Sequence, residues 1–141
     1  MVKIVFIIAL SVFSLFGAEI KWEKNITTAV QLADKEHKPL MVLVTKNGCR
    51  WCDVFKQKTL TNPKIVAILN RDFVVYEGIV DDGNVPPSLM TQGTPATWFI
   101  KGKTPMFEPI MGAADSVDFL DALDVVKQEY KNNATKKYKG E

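Results

Sequence analysis

TKNGCRWCDVFKQKT, residues 45–59, holds both cysteines of the chain, Cys49 and Cys52, with Arg50 and Trp51 between them. The residues before it, Leu40–Val44, form a short continuous apolar run, as expected of a strand buried on both faces. Asn47–Gly48 is a turn signal. From Cys49 to Thr59 or Leu60 the pattern predicts a helix with Val54 and Phe55 facing inward. The two thiols therefore stand at the joint between a strand and a helix.

Several chemistries use a Cys-x-x-Cys pair. Two cysteines and the lone histidine, His37, cannot complete a four-ligand structural zinc site within one chain, so no metal is expected. Covalent haem attachment needs histidine directly after the second cysteine, and that position is Asp53. A purely structural disulfide here would close a very small loop and remove little entropy from the unfolded chain. A redox pair has a physical basis. At the start of a helix the Cys49 sulfur meets free N–H groups and the positive end of the helix dipole, which favour thiolate over thiol. Lys46 and Arg50 add cationic charge nearby. Cys52, one turn deeper, is placed to resolve a mixed disulfide. Cys49 is thus expected to be the exposed nucleophile and Cys52 its sheltered partner, with Trp51 at the surface beside them.

The rest of the chain is ordinary globular sequence. It has 141 residues, 47% hydrophobic and 24% charged, with no low-complexity run or repeat, and one domain is expected. A formal charge of +2, with bases and acids interleaved, points away from a nucleic-acid partner. Residues 1–18 stand apart. Lys3 precedes an apolar run from Ile4 to Phe16, followed by the small residues Gly17 and Ala18. The run is shorter than the ~20 residues of a membrane span and reads as a signal peptide cleaved near Ala18. Phe16 at position −3 departs from the small residue preferred there, which leaves a retained anchor as the alternative. Residues 19–141 would then form the exported domain, with a short polar tail from about residue 131.

Further elements follow from periodicity. Thr27–His37 predicts a first helix, ended by Lys38–Pro39. Asn62 and Pro63 fit the N-cap and first position of a short helix after the cysteine helix. Phe73–Val80 is β-rich, and Asp81–Pro87 reads as a loop. Ala96–Ile100 and Met106–Met111 suggest a hairpin whose second strand lies at an edge or bulges, because of Pro109. A final helix capped by Asp115 or Ser116 is expected to reach Tyr130. Trp22 and Trp98 are expected in the core. Asn25–Ile26–Thr27 and Asn133–Ala134–Thr135 fit the glycosylation sequon, a short pattern that also arises by chance.

NGCRWC at 47–52, followed by GTPATWFI at 93–100, resembles the thioredoxin superfamily over about residues 22–130. The stretch KPLMVLVTKNGCRWCDVFKQKTLTNPKIVAILNRDFVVY, residues 38–76, is similar to exported thioredoxin-like proteins and to the C-terminal domain of the transmembrane disulfide reductase. The resemblance implies an α/β thioredoxin-like fold: a central mixed sheet of about four strands with helices on both faces. It implies that Cys49 attacks, Cys52 resolves and the Thr94–Pro95 bond is cis. It also implies that substrate is bound by Trp51, Thr94 and Pro95, with the Thr94 backbone pairing with a substrate segment. Three features depart from thioredoxin itself. Gly48 replaces the tryptophan before the pair, and Arg-Trp replaces Gly-Pro within it. The family's buried aspartate, six residues before the first cysteine, is Leu43 here, with Glu77 on the next strand as a substitute or a solvent-facing residue. Residues 86–92 leave little room for the family's helix before the proline.

The expected function is exported thiol–disulfide oxidoreduction, reducing or isomerising disulfides in client proteins. No cofactor is needed, and a membrane-bound redox partner would exchange electrons with the pair. A monomer is expected, because no segment remains for the dimerisation domain that the isomerases carry. The alternatives are a thioredoxin-fold binding module or chaperone without turnover, and a dedicated reductant of apocytochrome c thiols.

Overall fold

The run Leu40–Thr45 forms the central strand, buried along its whole length as its unbroken apolar sequence requires. The computed structural model describes residues 17–138, with side chains to residue 132. In chain order the elements are β1 Trp22–Glu23, α1 Ile26–Glu36, β2 Leu40–Thr45, α2 Arg50–Val54, α3 Pro63–Asp72, β3 Val74–Ile79, β4 Ala96–Lys101, β5 Thr104–Pro105, β6 Ile110–Met111 and α4 Ser116–Tyr138. Helix α2 runs on without a break into a π-helical turn, Phe55–Thr59. The expected signal peptide lies almost wholly outside the described residues. No described helix is long and apolar enough to cross a membrane.

The sheet order is β1-β3-β2-β4-β5, with β6 also paired to β4. Strands β1, β3 and β2 are parallel, whereas β4 runs antiparallel to β2 and carries β5 and β6 antiparallel in turn. The mixed sheet is as expected, with more strands than four. The two-residue β1 and β5 are too short to show a period-2 pattern in the sequence. Of the expected second hairpin strand, Met106–Met111, only Ile110–Met111 is strand, because Pro109 has no N–H to give to a ladder, and the short β5 forms ahead of it.

Period-2 alternation divides the core. Met41, Leu43, Val75 and Phe99 face α2, α3 and α4, packing with Phe55, Leu69, Phe119 and Leu123. Leu40, Val42, Val44, Val74 and Tyr76 face α1 and its Ala29 and Ala33. The small alanines let that helix lie close to the sheet. Phe55 and Phe119 meet edge to face, centroids 5.2 Å apart, and lock the cysteine helix to α4.

Local chemistry sets the helix ends. Asn25 caps α1, accepting from the Thr28 N–H at 2.8 Å, and His37 closes it in the left-handed conformation at φ 52°. Asn62 caps α3, with Pro63 in its first turn. Asp115 accepts from the N–H groups of Val117 and Asp118 at the start of α4. Helix α4 passes the expected end at Tyr130 and runs to Tyr138. The residues beyond Tyr130 are polar, so no apolar stripe marked them as helical. Trp22 is a second correction: it sits on the edge strand β1 at 36% exposure, not in the core. Trp98 is half-buried, its indole N–H donating to the Leu89 carbonyl at 3.0 Å.

Candidate active site

The turn from β2 to α2 needs one left-handed residue, and Gly48 supplies it at φ 65°. The Asn47 N–H donates to Asp81 Oδ2 at 2.7 Å, fastening this turn to the loop after β3. Cys49 is then the N-cap of α2. Its sulfur accepts from the Cys52 N–H at 3.2 Å, taking the place of the oxygen of an ordinary capping side chain. Cys49 and Cys52 are joined as a disulfide, their Cα atoms 5.3 Å apart.

Thr94–Pro95 is the cis peptide of the described chain, placed just before β4. The Thr94 hydroxyl donates to the Cys49 sulfur at 3.3 Å, and the Thr94 carbonyl oxygen lies 3.6 Å from the same atom. The antiparallel pairing of β2 with β4 brings this about: Val44 opposes Ala96, so the end of β2 and the start of β4 share one pole of the sheet. The short segment before the proline forms only a 3-10 turn, Pro87–Leu89, in keeping with the limited room there.

Exposure distinguishes the two cysteines less than expected. Cys49 is 7% and Cys52 3% accessible, so the oxidised pair is buried as a unit. Position separates them instead: Cys49 faces Thr94, and Cys52 lies a turn inside against the sheet. Trp51 is 58% exposed beside the pair, as expected. Lys46 and Arg50 are both exposed. The Arg50 guanidinium lies 5.7 Å from the centre of the Trp51 ring. The hydrogen-bond donors to the Cys49 sulfur are the Cys52 N–H and the Thr94 hydroxyl, not these cations.

Two features of the site were not legible beforehand. Glu77, directly across from Leu43 in the β2–β3 register, does not simply point to solvent. It accepts from the Thr45 hydroxyl at 2.8 Å and pairs with Lys56, one turn after Cys52 on the same helix. Lys56 and Glu77 also line an open pocket of about 480 Å³, together with Ile20, Trp22, Leu60 and Val66. The second feature is Thr97, 1% exposed, whose hydroxyl has no hydrogen-bond partner among the described residues. His37, at the far end of α1, has no part in the site.

Comparison with known proteins agrees with this geometry. A solution structure of a thioredoxin from Thermus thermophilus matches with a TM-score of 0.66 at 23% identity, covering 77% of this chain and 87% of that one. A structure described as DsbH oxidoreductase also matches with a TM-score of 0.66, at 14% identity over 79% of this chain and 87% of the other. The reduced C-terminal domain of DsbD from Neisseria meningitidis matches with a TM-score of 0.56 at 19% identity, covering 70% and 90%. These likenesses establish the thioredoxin fold. No curated protein matches the chain by sequence. The family model Thioredox_DsbH, described as a protein of unknown function (DUF255), matches residues 13–88 and so spans the cysteine motif and more than half of the sequence. The chain belongs to this family of thioredoxin-fold proteins.

Proposed function

We propose that this protein is an exported thiol–disulfide oxidoreductase acting on disulfides of client proteins, with reduction or isomerisation as its direction. One observation carries the reading: the Cys49 sulfur sits at a helix N-cap, bonded to Cys52 and held against Thr94 beside the cis-proline. In the reduced protein the Cys52 N–H, the Thr94 hydroxyl and the helix dipole favour the Cys49 thiolate. That thiolate attacks a client disulfide, forming a mixed disulfide and releasing one client thiolate. Cys52 then displaces the second. An extended client segment pairs with the Thr94 backbone, over Pro95 and against Trp51. A membrane-bound redox partner re-reduces the pair, and no cofactor takes part.

Direction follows from how strongly the reduced form is held. Strong oxidants hold their thiolate so firmly that the reduced state is favoured. Here two neutral donors serve the sulfur, and the nearby cations stay at the surface. The expected potential is nearer the about −270 mV of thioredoxin than the about −120 mV of the strongest oxidants.

The test is trapping in the exported fraction. Cys52→Ser should accumulate mixed disulfides with client proteins, on a chain that begins near Glu19. Cys49→Ser should trap nothing, and the wild type should reduce insulin with dithiothreitol as electron source. A protein that neither traps a client nor reduces insulin would be a binding module instead. Recovery of the intact chain from the cytosol would remove the exported assignment.

A further inference from the structure

Thr97 is the third residue after Thr94, on β4. It stands two residues before Phe99, which lies in the core layer beneath α2 and α4, so its side chain faces the same layer. Across the sheet Thr97 pairs with Leu43 on one side and Ile110 on the other, and Leu43 pairs with Glu77. One transverse row therefore reads Ile110, Thr97, Leu43, Glu77. The π-turn that continues α2 covers this layer with Phe55, and Cys52, three residues earlier and so on the same face of the helix, is 3% exposed.

A buried hydroxyl without a partner costs about 1–3 kcal/mol, and valine would fill the same shape without that cost. A state in which the hydroxyl finds an acceptor would recover that cost. In the oxidised protein the Cys52 sulfur is tied to Cys49 and the Thr97 hydroxyl makes no hydrogen bond to it. Once the pair is reduced, Cys52 must become a thiolate in an apolar layer, where desolvation opposes the charge. We propose that the Thr97 hydroxyl donates a hydrogen bond to the Cys52 thiolate and so promotes its attack on the mixed disulfide, a positioning role that rests on the redox reading above.

The step balances simply. The Cys52 thiol gives its proton to water or hydroxide. The thiolate attacks the Cys49 sulfur, the Cys49–client S–S bond breaks as the Cys49–Cys52 bond forms, and the client sulfur leaves as a thiolate that takes up a proton. The client gains the two electrons that the pair gives up. The charged groups bordering this layer are Lys56 on the π-turn after α2 and Glu77 on β3, paired with each other. Arg50 and Asp53 are exposed on the outer side of the first turn, and α4 contributes the apolar Phe119 and Leu123.

The experiment uses the disulfide of thionitrobenzoate as probe. Reduced protein releases one thionitrobenzoate as Cys49 is modified and a second as Cys52 resolves. Thr97→Val should slow the second release about tenfold near neutral pH, the effect of losing one hydrogen bond to a charged group. In a Cys49→Ala background it should move Cys52 alkylation to higher pH. Thr97→Ser, which keeps the hydroxyl, should restore both. The oxidised Thr97→Val protein should be no less stable to urea. Unchanged resolution and an unchanged alkylation profile in Thr97→Val would overturn the proposal. So would equal slowing in the valine and serine variants, which would mark a packing role. Second release slowed in Thr97→Val, with a wild type that does not reduce insulin and a Cys52→Ser variant that traps no client, would overturn the redox reading and leave the Thr97–Cys52 bond standing.

Discussion

Single atoms decide the chemistry at Cys49. Its sulfur has two neutral donors, of which the Thr94 hydroxyl at 3.3 Å is the one that can be removed without touching the helix. Thr94→Val keeps the shape and deletes that donor. A hydrogen bond to a charged group is worth about 1.5–3 kcal/mol, so thiolate should become scarcer in the reduced variant. Alkylation of Cys49 below the midpoint of its pH profile should fall about tenfold, which iodoacetamide kinetics on the Cys52→Ser background would read. An unchanged profile would leave the helix dipole and the Cys52 N–H as the whole source of stabilisation. The motif and the turn glycine were legible as local signals, whereas the role of Pro95 followed only from the resemblance to the thioredoxin superfamily. The partners of Glu77 were not, because Thr45 and Lys56 reach it from another strand and a helix.

At the scale of elements, caps and short bonds hold the cysteine helix to its neighbours. The Thr59 hydroxyl donates to the Ala114 carbonyl at 2.6 Å, tying the end of the π-turn to the loop before α4. Asn62 then starts α3, its side-chain oxygen accepting from the N–H groups of Lys64 at 3.0 Å and Ile65 at 3.4 Å. Asn62→Ala leaves those groups to water and should cost about 1 kcal/mol in urea unfolding. The redox pair should react as before, because the cap lies beyond the helix that presents it. A loss well above 2 kcal/mol would mean that Asn62 also supports packing. The boundaries of α3 followed from Asn62–Pro63 alone. The π-turn did not, since nothing in Phe55–Thr59 distinguishes it from ordinary helix.

Across the whole molecule, Asp72 joins the end of α3 to α4. Its carboxylate accepts two bonds from Arg71 and pairs with Lys127 at 2.8 Å. The Arg71 hydrogen bonds, helped by Lys127, hold the Asp72 carboxyl well below the usual carboxylate range. A carboxyl depressed in the folded state adds stability above its unfolded value of about 3.9 and loses it as the pH falls through that region. Stability should therefore decline below about pH 4, and Asp72→Asn should flatten that acid limb while lowering stability near neutral pH. Urea midpoints of the two proteins across the acid range would show this. Parallel curves would mean that other carboxylates govern acid unfolding.

Local signals sufficed for the strand expected at Leu40–Val44, the helix opened by Cys49 and the Asn62–Pro63 start. Each rests on residues adjacent in the chain: an apolar run, a turn pair, and a cap followed by the fixed φ of Pro63. The fold, and the meeting of Cys49 with Thr94 and Pro95, came from the resemblance that the cysteine motif and GTPATWFI carry together. Tertiary structure alone decided what surrounds them. The unpartnered Thr97 hydroxyl, the Glu77 network, the exposure of Trp22 and the near-equal burial of the two cysteines depend on cross-strand register and on which helix covers which face. Register relates residues tens of positions apart, and a short window of sequence carries no trace of it.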